Sequence, residues 1–209
     1  MNSKDAALIE RKRQSAIERK PAILKAFYEV IESEGFENAS VAKVAMKAGV
    51  HPSLVIHYFG SKEKMVLELV DEVLATYANL FRRLPKEGAP GQRLERLLQL
   101  VWSREWHEAA SFAVVFSFLA LSQRDKEVRE RVRNLYDNYR RYLLAQVSFF
   151  AEEGVIQIDD PEEAVEAFIS LSEGSHYFCR FHIDNGTFDS HCRKMIAAAK
   201  RILGAGLPA

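Results

Sequence analysis

The sequence predicts an all-α protein of about nine helices, and three observations carry that prediction. Apolar residues recur at helical spacing along most of the 209 residues, strand-like alternation is missing, and the breaks fall at glycine and proline. The run 154–158 (GVIQI) is too short and too closely flanked by helical pattern to be read as more than a connecting turn. A chain of this length has room for one or two domains with a sizeable core.

Residues 1–16 form a basic extension. Over residues 1–20, Lys4, Arg11, Lys12, Arg13, Arg19 and Lys20 face Asp5, Glu10 and Glu18, an excess of three positive charges within a chain that balances 29 basic against 29 acidic side chains. That local excess suits either a DNA-contacting arm or a solvated helical extension. The first apolar run is short and broken by charge, unlike a secretory signal. The longest, residues 111–122, falls short of the ~20 needed to cross a bilayer, so a cytosolic protein is expected. Cys179 and Cys192 stand thirteen apart in no C-x-x-C arrangement and read as reduced, mostly buried thiols.

Residues 40–59 carry the most information. Ser40 is placed to cap a helix whose inner side is Val41, Val44, Ala45 and Ala48, with Lys43 and Lys47 outward. Gly49 ends it by supplying a left-handed residue. Pro52 suits a first helical position, so a second short helix runs to Phe59 with Val55 and Phe59 inward. Pro52, Ser53, Leu54, His57 and Tyr58 are left facing out. Hydroxyls and imidazole suit phosphates and base edges, and Leu54 suits thymine methyls. Gly60 closes the helix and Ser61 caps the next. Two short helices joined by a glycine turn are a helix-turn-helix, which places its second helix in the DNA major groove.

The run AGVHPSLVIHYFGSKEKM resembles the signature of the TetR family of one-component bacterial regulators, A-G-V-S-x-x-x-L-Y-x-H-F-x-S-K-E-x-L. Upstream, residues 22–35 (AILKAFYEVIESEG) with Phe36 and Ala39-Ser40-Val41 resemble the family's first helix and its entry into the second, so about sixty residues are covered. The resemblance implies that Ser40 and Lys43 approach one phosphate strand, that Ser53, Leu54 and His57 read or flank bases, and that Tyr58 and Lys62 hold phosphates. Four positions depart from the pattern: His51 for serine, Ser53 for glycine, Ile56 for tyrosine and Tyr58 for histidine. His51 is expected to cap poorly, leaving the amides at the start of the recognition helix free for a phosphate. The triplet His57-Tyr58-Phe59 resembles the form found in choline-responsive members of the family.

Beyond the head (17–77), residues 78–209 are expected to form a helical body for effector binding and dimerisation. Met65, Leu69, Val73, Tyr77 and Leu80 extend a long helix to about residue 84, which in the resembled family connects head to body. Residues 85–91 (PKEGAPG) are the clearest break. Helices are then expected at 92–106, 110–121, 126–153, 161–181 and 189–203. The penultimate one is apolar around most of its circumference (Ala164, Val165, Phe168, Ile169, Leu171, Tyr177, Phe178, Cys179, Phe181), as a helix covered on two sides must be. Gly174 within it suits a close helix approach. The last carries a cleaner stripe, Phe188, Cys192, Met195, Ile196, Ala199 and Ile202. These two match the pair that forms a four-helix dimer interface in the family, and a symmetric dimer reads a palindromic operator.

Family members hold a small-molecule effector inside the body. The residues offered for that role are Trp102, Trp106, Phe112, Phe116, Tyr136, Tyr139, Tyr177 and Phe178, with Glu173 as a carboxylate suited to a cationic or quaternary ammonium ligand. The implied protein is a cytoplasmic, homodimeric repressor released from DNA by its effector, with no cofactor. An alternative rests on His176, Cys179 and His182, with His191 and Cys192 on the next helix, as a metal-sensing or catalytic cluster. Positions six apart point to different sides of a helix, which opposes three ligands from that run. No nucleophile elbow, phosphate loop or HExxH pair is present to support an enzyme.

Overall fold

The computed structural model describes residues 3–206, with side chains from residue 18 onward, so the basic side chains at 4, 11, 12 and 13 lie outside the described residues. The described residues form ten helices and no strand: α1 (Ser3–Glu34), α2 (Val41–Ala48), α3 (Pro52–Phe59), α4 (Lys62–Arg82), α5 (Pro90–Val101), α6 (Arg104–His107), α7 (Phe112–Leu121), α8 (Lys126–Glu152), α9 (Pro161–His182) and α10 (Phe188–Ile202).

Two compact units divide the chain. The first comprises residues 1–74 and 110–132, the second residues 75–109 and 133–209. Packing therefore groups α7 and the start of α8 with the first three helices, a different division from the boundaries 17–77 and 78–209 read along the sequence.

In the first unit α1 packs on α2, α2 on α3, and α1 on α7. The α1 backbone runs through Pro21 without a break and closes at Gly35, whose amide donates to the Ile31 carbonyl at 2.9 Å. Phe27, Ile31, Val44, Val55, Phe59, Met65 and Leu69 are buried and supply the small core that fixes α2 and α3. Gly49 adopts φ 66°, ψ 33°, the left-handed conformation that turns α2 toward α3 and that a side chain would resist. The hydroxyl of Tyr28 on α1 accepts a hydrogen bond from the half-buried Ser111 amide, satisfying a donor just ahead of α7. Arg131 pairs with Asp71 (3.1 Å) and Arg124 with Glu37 (2.7 Å) on the surface of the same unit.

The second unit is built on a continuous apolar core. Leu97, Leu98 and Val101 of α5, Leu143, Val147 and Phe150 of α8, Val165 and Phe168 of α9, and Ala199 of α10 contribute to it, together with Ile156 of the α8–α9 connection. The stretch 154–158 is that connection, with no strand. One expected helix, 92–106, is two. Trp102 leaves helical geometry, and Ser103 starts α6 afresh by accepting from the Trp106 amide at 3.0 Å while its hydroxyl donates to the Leu100 carbonyl at 2.8 Å. Asp160 caps α9 through the amides of Glu162 and Glu163. Gly204, just past α10, has φ 57°, and a Cβ there would sit 2.1 Å from the Gln157 carbonyl oxygen, so this close approach admits only glycine. At Gly174, by contrast, an added Cβ would meet no neighbouring atom of the described residues within 4 Å, so the close approach expected there is not made among them.

Candidate nucleic-acid interface and ligand site

The candidate nucleic-acid face is the outer side of α3. Ser40 caps α2 by accepting from the Lys43 amide at 3.3 Å, and Gly49 closes it. Val55 and Phe59 point into the core, which leaves Pro52, Ser53, Ile56 and His57 exposed with Leu54 and Tyr58 half-buried beside them. His57 and Tyr58 meet edge to face at 5.4 Å. The structure adds Ile56 to the outward face, and it places Met46 of α2 at 77% exposure, an apolar tip no packing requires. Both escaped the sequence reading because an apolar residue in a short helix is assigned inward by default.

His51 is a correction. Its side chain caps α3 after all: Nδ1 accepts from the Ser53 amide at 3.3 Å and lies 2.8 Å from Ser53 Oγ. An imidazole nitrogen two residues upstream reaches the same orphan amide that a serine oxygen would. With Nδ1 accepting, the ring proton belongs on Nε2, which leaves a donor at the start of the recognition helix.

Three cations of the head are already engaged. Lys43 pairs with Glu34 at 2.5 Å and Lys47 with Glu29 at 3.3 Å. Lys62 donates to the Phe36 carbonyl at 3.4 Å with its ammonium 4.7 Å above the Phe36 ring. Lys62 thus holds the α1–α2 connection to the start of α4. These ion pairs are surface pairs of small net value, so a phosphate can compete for Lys43 at little cost.

The second unit gathers most of the residues offered for a ligand, around Trp106. Its ring centre lies 5.2 Å from Tyr77, 5.0 Å from Phe81, 6.2 Å from Tyr139 and 6.2 Å from His176. Trp102 packs edge-on to Phe168 at 5.3 Å. Tyr136 donates to Glu173 Oε2 at 3.1 Å, and Tyr139 also feels the Glu173 charge. Burial of the carboxyl group pushes Glu173 above the usual carboxylate range, with the Tyr136 hydrogen bond opposing it, although the residue keeps solvent access along α9. Burial likewise pushes the Tyr136 and Tyr139 phenols up, so both stay protonated donors.

Four offered residues are not brought to this cluster, among them Phe178, which is 46% exposed and stacks on His182 at 4.5 Å. Phe112 and Phe116 stack on each other at 5.3 Å on α7, in the first unit. Tyr177 is 52% exposed and packs on Phe181 at 5.2 Å. Residues the reading missed are Tyr77, Phe81 and His107. Tyr77 and Phe81 stand four apart on α4, and that spacing of two rings was the available signal.

The metal cluster does not assemble: among the described residues no group of three His, Cys, Asp or Glu side chains could hold an ion. His176 faces Trp106 and His107, whereas His182 stacks on Phe178 at 4.5 Å. His191 bonds Ser175 at 3.0 Å between α9 and α10. Cys179 and Cys192 are free and buried, with burial raising both thiols, Cys192 to about 11, so neither is a ready thiolate. Among the described residues no helix is long and apolar enough to cross a membrane.

Comparison with known proteins agrees with this layout. A family model described as bacterial regulatory proteins of the tetR family matches residues 23–69, and one described as a tetracyclin repressor-like C-terminal domain matches residues 90–205. A curated relative, the HTH-type transcriptional regulator BetI of Rhizobium meliloti (strain 1021), is 26% identical over 157 residues, 75% of each chain. The crystal structure of a TetR transcription regulator from Haloarcula marismortui has the same fold, with TM-score 0.77 and 16% identity over 89% of this chain and 96% of that one. So does a putative transcriptional regulator from Saccharomonospora viridis in complex with choline, with TM-score 0.74 and 18% identity over 85% and 93%.

Proposed function

The chain belongs to the TetR family of bacterial regulators, and on that premise we propose that it is a cytoplasmic, non-enzymatic repressor. It binds a palindromic operator as a homodimer and is released by a small quaternary ammonium effector. The observation that carries the DNA reading is the three-helix head with Pro52, Ser53, Ile56 and His57 exposed on a helix whose other side is core. Ser53, His57 and the His51 ring are the base-reading and base-flanking groups. Ser40, Lys43 and Tyr58 take phosphates, with the amides at the start of α2 and α3 behind them. Lys62 shares a phosphate only by loosening its hold on Phe36.

A dimer through α9 and α10 is supported by Phe178 and by Tyr177 and Phe181, the last 61% exposed, on a helix whose Gly174 leaves room for a second backbone. Two recognition helices related by a two-fold axis read two half-sites where one reads a few base pairs.

The effector class follows from the second unit. Glu173 is a partly desolvated carboxylate that accepts from Tyr136 and lies near Tyr139, whose ring in turn meets that of Trp106. A cation entering there satisfies the carboxylate and meets aromatic faces, the combination that recognises quaternary ammonium groups. The choline carried by the Saccharomonospora viridis protein of the same fold supports that chemistry. Since Tyr77 and Phe81 of α4 share this cluster, a ligand that prefers one setting of α4 biases the helix that leads to the head, and only such a differential preference shifts DNA binding. The reading is tested by titrating trimethylammonium compounds into a complex of the protein with a selected operator. Release at micromolar to millimolar cation supports it, and indifference to every such compound refutes the effector assignment.

A further inference from the structure

Among the described residues of α1 to α3, two large apolar side chains stand in solvent, Met46 on α2 and Ile56 on α3, and only Ile56 is on the helix offered to the groove. It is 44% exposed, although its neighbour Val55 is 1% exposed and Phe59, three residues on, is 4%. Along the same side of α3 and its cap lie Ser53, Pro52 and Gly60, three before, four before and four after, all exposed and all too short to cover it. Leu54, whose residue type suits the same surroundings, is half-buried. A single exposed isoleucine on an ordinary surface needs no explanation. On this helix it has a chemical consequence, because the family pattern carries tyrosine there and isoleucine has no group that bonds a phosphate or a polar base edge.

The major groove offers such a side chain one methyl group, the C5-methyl of thymine, among edges that otherwise present hydrogen-bond donors and acceptors. Resting on the DNA reading above, we propose that Ile56 is a specificity-determining residue of the operator complex, selecting thymine at one position of each half-site through contact with that methyl. Branching at Cβ restricts χ1 in a helix, so the side chain is held in one rotamer before DNA arrives and little freedom is lost on contact. Uracil at the same position pairs identically with adenine but leaves a gap where the methyl was. Losing one buried methyl costs about fourfold in affinity, and about fifteenfold when both half-sites of a dimer lose it.

The test uses the full chain and an operator selected from random duplex DNA. Each thymine is replaced symmetrically by deoxyuridine, and affinity is read by fluorescence anisotropy at fixed salt. At one position the replacement should weaken wild-type binding about fifteenfold. The same replacement should change Ile56→Ala binding by less than about twofold, with this variant binding the thymine operator about as weakly as the wild type binds the uracil one. Ile56→Val keeps the branched β-carbon and should retain most of the discrimination. If no uracil replacement weakens wild-type binding, the inference is overturned. It is equally overturned if every uracil effect survives unchanged in Ile56→Ala. Both results leave the DNA reading standing, whereas a pool that yields no operator overturns both. Because Ile56 is exposed, its replacement leaves the core of the head intact, and the wild-type uracil scan can refute the proposal without any variant.

Discussion

The Tyr136 hydroxyl donates to Glu173 Oε2 across 3.1 Å, joining α8 to α9 beside the ring cluster centred on Trp106. The bond holds a carboxylate where burial disfavours its charge, and a bound cation relieves that conflict. Glu173→Gln should therefore weaken binding of a trimethylammonium cation by at least tenfold, with thermal stability unchanged or slightly raised because a desolvated charge is gone. Tyr136→Phe should weaken it less. Calorimetry alongside thermal melts separates the two effects.

Stability should fall with acid over a defined window. His176 holds its proton only near pH 4, against an ordinary 6.5, because burial penalises the imidazolium and His107 and Arg180 repel it. The unfolded chain takes up that proton at about 6.5 and the folded chain does not, so stability declines as pH drops from about 6.5 toward 4 and levels off below. The His176 share is on the order of 2–3 kcal/mol, with a smaller contribution from half-exposed His107, also near 4. Urea titrations between pH 7 and 4 should show this slope, and His176→Phe should flatten it.

Capping by His51 is open to a direct check. His51→Ala should cost about 1 kcal/mol by removing the acceptor for the Ser53 amide, while His51→Ser should be close to neutral. Equal stability of the alanine and serine variants would show that the imidazole contributes nothing as a cap.

The contact between Tyr28 and the Ser111 amide binds α7 to the head. Tyr28→Phe keeps the ring and strands a half-buried amide, so it should lower stability by about 1–2 kcal/mol without altering base preference. Ser53→Ala and His57→Ala should do the reverse, changing the preferred operator bases with less than about 0.5 kcal/mol effect on folding, since both side chains are exposed.

The helix-turn-helix was legible because its signals are local. Ser40, Gly49, Pro52 and Gly60 act on the backbone within a few residues, and the observed bounds of α2 and α3 follow from them. The ligand cluster was legible only in part. Trp102, Trp106, Tyr136, Tyr139 and Glu173 were marked by residue type, but type alone also marked Phe112 and Phe116, which lie on α7 in the other compact unit. His176 was noticed for its spacing to Cys179 and His182, whereas its surroundings are set by Trp106 and His107, seventy residues earlier. The His51 cap was missed because the preference for serine or aspartate there is statistical, while the requirement is an acceptor within reach of an amide.

The most direct test of the whole account is selection of bound duplexes from a random DNA pool by the purified protein, followed by addition of trimethylammonium compounds. A palindromic consensus whose complex dissociates on adding the cation is the predicted result. Failure to enrich any palindrome from protein shown by mass spectrometry to be free of small molecules would contradict the account of α3 as a recognition helix in a dimeric repressor.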